Sequence, residues 1–107
     1  MVEEQMKSVT MLTKANIYWD GKVTSRTGYR QDGSQFTLGI ITAGTYTFDV
    51  GDREVVKLIA GEAEVRLPGN ANWQTVHTPD AFEVPANSQY DIRTYGVVEY
   101  LCDYHKD

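Results

Sequence analysis

Hydrophobic and polar residues alternate over short stretches along most of the chain. In residues 62–67 the apolar side chains of Ala63, Val65 and Leu67 are separated by charged ones, a period of two that is typical of a strand with one solvated face. Residues 36–41 show a similar alternation. Further stretches rich in Val, Ile, Thr and aromatic residues predict strands at 22–26, 45–50, 54–60, 73–78, 82–84, 89–94 and 97–104.

Turn-forming residues separate these stretches. Gly and Asn tolerate positive φ, and Pro fixes φ and lacks an N–H donor, so clusters of these residues interrupt strands. Such clusters include Asp20-Gly21, Asp32-Gly33, Pro68-Gly69-Asn70 and Pro85-Ala86-Asn87. We find no amphipathic helix of convincing length after residue 15. About nine short strands joined by tight turns predict an all-β sandwich or barrel.

The chain of 107 residues fits one domain. Residues 15–107 carry the strand pattern and form the predicted domain. Residues 1–14 are predicted to form an N-terminal arm, which is either flexible or an edge element of the sheet.

The net negative charge of the chain excludes some classes of partner. Ten Lys and Arg against fifteen Asp and Glu give a net charge of −5. Such a surface repels nucleic acids and anionic lipids, so neither is an expected partner.

The chain has no run of about eighteen apolar residues, so we expect no membrane-spanning segment, and it has no secretory signal pattern. Because Cys102 is the only cysteine, no disulfide framework exists, and we expect a reducing, cytoplasmic location.

Two stretches carry a recognisable spacing. The first runs from Gly44 through Thr-Tyr-Thr-Phe to Glu54 and Gly61, and the second runs from Pro79 through Pro85 to Tyr90. Together they resemble the two cupin motifs, in which a His-x-His pair, a Glu and a third His bind a metal. This resemblance implies a single-domain cupin, a jelly-roll-like β-barrel or sandwich.

The metal-binding histidines of that pattern are missing. Tyr46 and Phe48 stand near the His-x-His position, and Tyr90 stands where the third His belongs. First-row metals in cupins need imidazole and carboxylate ligands that converge on one point. Only Glu54 remains of the four, and the two histidines of the chain lie outside both motifs. We therefore expect no metal.

A narrower resemblance covers residues 15–104. The segments that carry it are Asn-Ile-Tyr-Trp-Asp-Gly-Lys-Val-Thr-Ser at 16–25, Gly-Thr-Tyr-Thr-Phe at 44–48, Trp73, Phe-Glu-Val-Pro at 82–85 and Tyr-Leu-Cys-Asp-Tyr at 100–104. Together they resemble the small pyrimidine/purine nucleoside phosphorylases. The resemblance implies a homodimer that cleaves purine and pyrimidine nucleosides with phosphate, releasing free base and ribose 1-phosphate. Phosphate is then a co-substrate, and no cofactor is expected.

Glu54 is the candidate catalytic residue. Cleavage of a nucleoside passes through an oxocarbenium-like state, and a nearby carboxylate stabilises its positive charge. Glu54 is also a candidate for binding the ribose hydroxyls. The alternative interpretation is a carboxylate at the rim of the barrel, paired with Arg53 or Lys57.

Aromatic residues are the candidates for substrate binding. Tyr46 and Phe48 are two apart on a strand, so they share a face and suit stacking on a nucleobase. Aromatic residues in such an alternation also form ordinary core. Tyr90 suits a hydrogen bond to ribose or phosphate, or it is a packed tyrosine with its hydroxyl at the rim.

The phosphate-binding residues are the least defined part of the predicted site. Lys22 is the cationic candidate, although lysines on edge strands also serve against aggregation. Arg26 is a second strand-borne cation, whereas alternation points Arg93 outward. Small hydroxyl groups that suit phosphate or sugar oxygens are at Ser25, Thr37 and Ser88.

Nucleophilic catalysis by a thiol is not expected. Cys102 and His105 are three apart on a predicted strand, so they face opposite sides and cannot pair. A buried thiol among apolar neighbours is usually inert.

Two other functions fit the same sequence. A non-catalytic, degenerate cupin that binds a small sugar or nucleotide metabolite would also lack the metal ligands, but it would show no phosphate-dependent turnover. A metal-dependent cupin with unconventional ligands would contain stoichiometric metal.

Overall fold

The computed structural model describes residues 4–106, which form eleven β-strands and one turn of 3₁₀-helix. The strands are β1 (Thr10–Met11), β2 (Asn16–Tyr18), β3 (Val23–Tyr29), β4 (Gln35–Ile41), β5 (Gly44–Val50), β6 (Arg53–Ala60), β7 (Glu62–Arg66), β8 (Gln74–His77), β9 (Ala81–Val84), β10 (Ser88–Thr94) and β11 (Val98–His105). The 3₁₀ turn, Trp19–Gly21, connects β2 to β3. No helix in this part of the chain is long and apolar enough to cross a membrane.

The strands form two antiparallel sheets. The first sheet has the order β1-β3-β4-β11-β6-β9, with β2 also paired to β3. The second has the order β5-β10-β7-β8. Apolar side chains from both sheets form one buried cluster between them. The predicted all-β fold is therefore confirmed.

The nine predicted strands correspond to β3–β11, with ends that differ by at most three residues. The sequence pattern does not predict β1 and β2, because strands of two and three residues are too short to show an alternation. β1 pairs with the end of β3, so this part of the predicted arm is an edge strand. Residues 1–3 of the arm and residue 107 lie outside the described residues.

The inner face of the first sheet changes from apolar at one end to polar at the other. Val23, Ile41 and Val98 are neighbours on β3, β4 and β11, and each is at most 2% exposed. Four residues farther along β3, the neighbouring pair is Thr27 and Thr37. Threonine hydroxyls need hydrogen-bond partners and do not fill a dry core. The sheets therefore pack tightly at the apolar end and enclose a cavity at the polar end.

Gly39 allows a tyrosine to lie across β4. Tyr100 on β11 is the direct cross-strand partner of Gly39, and Gly39 is in turn the partner of Ser25 on β3. A Cβ atom at Gly39 would lie only 2.4 Å from Cζ of the Tyr100 ring. The missing side chain is thus what lets the Tyr100 ring cross β4 and bring its hydroxyl group to Ser25.

We expect the substitution Gly39→Ala to displace Tyr100 and to destabilise the fold by about 1–3 kcal/mol, since extra volume in a packed interior forces side chains out of place. Urea unfolding measures this change in the free energy of unfolding. Gly96→Ala is the matched control, because a Cβ atom there meets nothing within 4 Å. Equal stability of the two variants would contradict the role given to Gly39.

Candidate functional site

A cavity of about 480 Å³ lies between the two sheets at the polar end of the core. Strands of both sheets and the 3₁₀ turn contribute to it. The lining residues are Asn16, Tyr18, Trp19, Ser25, Thr27, Gln35, Thr37, Thr47, Phe48, Asp49, Glu54, Val56, Tyr90, Tyr100, Cys102 and Tyr104. This volume is in the range of small-molecule sites.

One side of the cavity is aromatic. The rings of Phe48 and Tyr90 stack with centroids 5.5 Å apart, and Trp19 meets Phe48 edge-on at 5.3 Å. Behind this wall, Phe82 packs edge-on against Tyr90. Burial raises the pKa of the Tyr90 hydroxyl well above its ordinary value, so it remains a neutral hydrogen-bonding group. Trp19, Phe48 and Tyr90 are called the aromatic wall below.

The tight turn between β2 and β3 holds Trp19 in the wall. Trp19, Asp20 and Gly21 all have positive φ, at 49°, 55° and 92°. This conformation is uncommon for residues with a Cβ atom and concentrates at functional sites. The Trp19 side chain is 43% exposed, and its ring also contacts Tyr46 at 4.9 Å. The turn thus places a large apolar ring at the border between the cavity and solvent.

The facing sheet contributes a row of uncharged polar groups. Nδ2 of Asn16 donates hydrogen bonds to Oγ of Ser25 at 3.2 Å and to Oγ1 of Thr27 at 3.1 Å. Oγ1 of Thr37, the cross-strand partner of Thr27, lies 3.2 Å from the hydroxyl oxygen of Tyr104. These five residues, Asn16, Ser25, Thr27, Thr37 and Tyr104, cross four adjacent strands and are called the polar belt below.

Glu54 lies at the end of the polar belt on β6. It is the direct cross-strand partner of Tyr104, and Sγ of Cys102 donates a hydrogen bond to its Oε1 at 3.4 Å. Glu54 forms no ion pair with another of residues 4–106, because Arg53 pairs with Glu83 across the neighbouring strand. Desolvation raises the pKa of the Glu54 carboxyl above its usual value. Glu54 is therefore a half-buried acid that no cation of the described residues pairs with.

The Cys102 thiol is buried on the inner face of β11. Burial and the nearby Glu54 carboxylate raise its pKa far above the ordinary range, which keeps it protonated. The protonated thiol is a hydrogen-bond donor to Glu54.

Five of the eight sequence-predicted site residues meet in this cavity. They are Glu54, Phe48, Tyr90, Thr37 and Ser25. The structure places Tyr46 behind Trp19, where it is 5% exposed and its hydroxyl lies 3.1 Å from the carbonyl oxygen of Thr42. Ser88 lies outside the lining and donates to the carbonyl of Pro85 at 2.6 Å. Lys22 also lies outside the lining, with an exposed side chain after the 3₁₀ turn.

Arg26 and Arg93, the other two cations considered from the sequence, also point away from the cavity. Arg26 lies on the outer face of β3, and its Nε donates to the carbonyl of Thr13 at 3.4 Å. Arg93 pairs with Glu64 at 2.7 Å and stacks over Trp73 at 4.0 Å on the outer face of the second sheet. Arg66 covers the same indole ring at 4.7 Å. None of the described lining residues is Lys, Arg or His.

Sequence reasoning missed several lining residues. Trp19, Asn16, Thr27 and Tyr104 are not among the predicted site residues, although all of them line the cavity. Asp20-Gly21 signals the turn that positions Trp19, but not the direction of its ring. The other three residues join the site through pairing between strands, which the sequence pattern does not specify.

Within residues 4–106, no group of three or more His, Cys, Asp or Glu side chains is arranged to hold a metal ion. In the resemblance to the cupin motifs, Tyr46 and Phe48 stand near the His-x-His position and Tyr90 stands at the position of the third histidine. Of the four ligand positions, only Glu54 keeps a metal-binding group.

The sequence is similar to those of one family of known proteins. The profile of the family described as pyrimidine/purine nucleoside phosphorylase matches residues 13–104. A protein of that name from Syntrophotalea carbinolica is 49% identical over 102 residues, which cover 95% of this chain and 98% of the relative. One from Sulfurimonas denitrificans is 46% identical over 102 residues, with coverage of 95% and 98%.

Solved structures agree with the fold. A DUF1255 protein from Acinetobacter sp. ADP1 superposes with a TM-score of 0.92 at 31% identity, covering 94% of this chain and 98% of that one. A putative ethanolamine utilization protein Q from Salmonella typhimurium LT2 has a TM-score of 0.68 at 18% identity, covering 91% and 93%. The second similarity concerns the fold alone and agrees with the predicted single-domain cupin.

We expect the substitution Glu54→Gln to raise the melting temperature at pH 7–8. Because desolvation raises the folded-state pKa of Glu54, the stability linked to its protonated form is present at low pH and is lost as the pH rises through that pKa. Glutamine resembles the protonated acid and keeps that stability. The gain over the wild type should shrink as the pH is lowered towards 4, as measured by calorimetry. Asp52→Asn, which removes an exposed carboxylate that forms no ion pair among residues 4–106, is the control, and a gain that does not change with pH would contradict the interpretation.

Proposed function

Because the chain belongs to the pyrimidine/purine nucleoside phosphorylase family, we propose that it cleaves both purine and pyrimidine nucleosides with inorganic phosphate. The pentosyl group passes from the base to phosphate, and the products are free base and ribose 1-phosphate. The observation that carries this proposal is the single cavity in which an aromatic wall, a polar belt and the half-buried Glu54 face one another.

The aromatic wall suits the base. Every nucleobase has a π-face, so stacking on Phe48 and Trp19 binds purines and pyrimidines alike. Such a wall makes few demands on the edge of the base, which supports broad specificity. The stacked Tyr90 and the edge-on Phe82 behind it fix the position of Phe48.

Glu54 suits the sugar. In phosphorolysis the bond from C1′ to the base nitrogen breaks, its electron pair leaves with the base, and a phosphate oxygen forms the new bond to C1′. The base takes up the proton that hydrogen phosphate loses. Positive charge develops on the ribose ring between these events. A carboxylate in a partly desolvated cavity, with no cation beside it, stabilises that charge more strongly than one in water. Glu54 is therefore the proposed catalytic residue, acting by electrostatic stabilisation or through the ribose hydroxyls.

We propose that this chemistry needs no metal ion. Phosphate supplies the nucleophile, and the positive charge of the transition state calls for a nearby anion instead of a Lewis acid. The loss of the three histidines at the cupin motif positions supports the proposal. The free, buried Cys102 suits the reducing cytoplasm, in which we place the protein.

We propose that two copies associate through the outer face of the first sheet. A groove of about 630 Å³ separates this face from the N-terminal arm, and Met6, Val9, Leu38, Ile40 and Ile59 contribute apolar side chains to it. Ile40 is 43% exposed. Charged residues, among them Arg26, Lys57 and Glu99, also line the groove. Exposed apolar side chains bordered by charged ones are typical of a protein–protein interface, and a two-fold dimer would cover them with the same surface of a second copy.

The first experiment measures base release from uridine and inosine with and without phosphate, in buffer that contains a chelator. We expect phosphate-dependent release of both bases and formation of ribose 1-phosphate, unaffected by the chelator. Release without phosphate would indicate a hydrolase. No release with or without added metal would instead favour a cupin that binds a small sugar or nucleotide metabolite. Activity that is lost with chelator and restored by a metal would contradict the metal-free mechanism.

The dimer is tested by light scattering at micromolar concentration. We expect a mass of twice 12.1 kDa for the wild type and of 12.1 kDa for Ile40→Glu, which places a charge on the proposed interface. Thr45→Glu, at an exposed position of the second sheet, should remain dimeric. A wild type of 12.1 kDa would overturn the proposal.

A further inference from the structure

The residues that line the cavity do not match the charge of phosphate. Phosphorolysis brings a phosphate anion into it, but none of the described lining residues carries a positive charge. The cations that the sequence suggests, Lys22, Arg26 and Arg93, lie outside the lining. Glu54 adds negative charge of its own. An anion that enters must therefore be held by uncharged donors of this chain.

The hydrogen bonds of the polar belt leave such donors available. Asn16 uses its Nδ2 hydrogens on Ser25 and Thr27, so it occupies an acceptor position of each hydroxyl group. The Thr27 hydroxyl hydrogen is left without a partner among the described residues. Between Thr37 and Tyr104 only one hydroxyl can donate to the other, and the Tyr104 hydroxyl also has the Cys102 sulfur as a neighbour. When Tyr104 donates to Thr37, the hydroxyl hydrogen of Thr37 is available.

These groups are held in place by the sheet. Thr37 is 4% exposed and Ser25 is 6% exposed, and the cross-strand register fixes the order from Asn16 to Tyr104. Hydrogen bonds to an ionised acceptor are roughly twice as strong as bonds between neutral groups. Donors that are already positioned in a partly desolvated cavity also need little reorganisation when the anion binds.

We propose that the polar belt is the phosphate subsite and that it binds hydrogen phosphate through uncharged donors. This inference rests on the proposed function, which it deepens. Thr27 donates from one side of the anion, and the Thr37–Tyr104 pair donates from the other. At the end of the belt, Glu54 accepts a hydrogen bond from the hydroxyl group of hydrogen phosphate.

The position of Glu54 supports this last contact. Its carboxylate reaches the belt through Tyr104, its cross-strand partner, and through Cys102, the cross-strand partner of Thr37. Oε1 accepts the thiol hydrogen bond of Cys102, and Oε2 has no hydrogen-bond partner among the described residues. A carboxylate next to an anion is repulsive unless a proton lies between them. The subsite therefore selects an oxyanion that carries a proton, and sulfate at neutral pH carries none.

In the proposed subsite, different groups bind the phosphate and stabilise the positive charge at C1′. A Lys or Arg placed in the belt would form an ion pair with Glu54 and weaken its effect on the positive charge at C1′. Neutral donors hold phosphate without neutralising the carboxylate. Glu54 thus keeps its negative charge, which acts on the sugar as the base begins to leave, while Oε2 accepts the hydrogen bond from phosphate.

The test compares isosteric variants by steady-state kinetics. In Thr27→Val and Thr37→Val we expect the KM for phosphate to rise about tenfold or more, with the KM for uridine nearly unchanged, because each variant loses a hydrogen bond to a charged ligand. Thr27→Ser keeps the hydroxyl and should restore the wild-type value. Thr45→Val, an exposed threonine of β5, is the matched control. A rise in the KM for uridine with an unchanged KM for phosphate would overturn the proposal, because the belt would then bind the sugar.

A binding experiment separates this inference from the proposed function. Calorimetric titration of the wild type with inorganic phosphate should show binding, titration with sulfate should show none, and Glu54→Gln should bind both. Equal binding of phosphate and sulfate to the wild type would overturn the proposal, as would absence of phosphate binding. If the wild type releases no base but binds phosphate, and Thr27→Val binds it more weakly, the subsite stands and the proposed phosphorolysis fails.

Discussion

The pairing of β11 with both β4 and β6 is the constraint on which the site depends. Its register sets Tyr100 opposite Gly39, Cys102 opposite Thr37 and Tyr104 opposite Glu54. A shift of one residue would turn every inward side chain of β11 to the outer face. Close packing at the apolar end of the core fixes this register. The register in turn sets the positions of the side chains at the polar end.

The cavity accommodates buried polarity without buried cations. Burying a polar group costs free energy unless it is hydrogen-bonded. Asn16 satisfies two hydroxyl groups on β3, and the Cys102 thiol shares in satisfying Glu54. The arginines of the chain are instead used on outer faces, where Arg66 pairs with Asp91 at 2.8 Å and Arg93 pairs with Glu64. An acidic chain thus keeps its positive charges outside and leaves the interior to hydroxyl, amide and aromatic groups.

Different parts of the structure were predictable from the sequence to different degrees. The period of two in stretches such as 62–67 is a local signal, and it predicts nine of the strands and the all-β fold. Glu54, Phe48 and Tyr90 could be chosen because they occupy recognisable motif positions. The contacts of Asn16 with Thr27 and of Thr37 with Tyr104 join residues that are 11 and 67 positions apart. No local pattern encodes such register, so the polar belt required the structure.

The two tryptophans occupy contrasting surroundings. Trp73 contacts two guanidinium groups on the outer face of the second sheet, whereas Trp19 is half open to solvent and borders the cavity. Indole emission is sensitive to the water and the rings around it. Because a molecule that enters the cavity changes the surroundings of only one of the two indoles, the protein contains its own fluorescent reporter of occupancy, with the other indole as an internal reference.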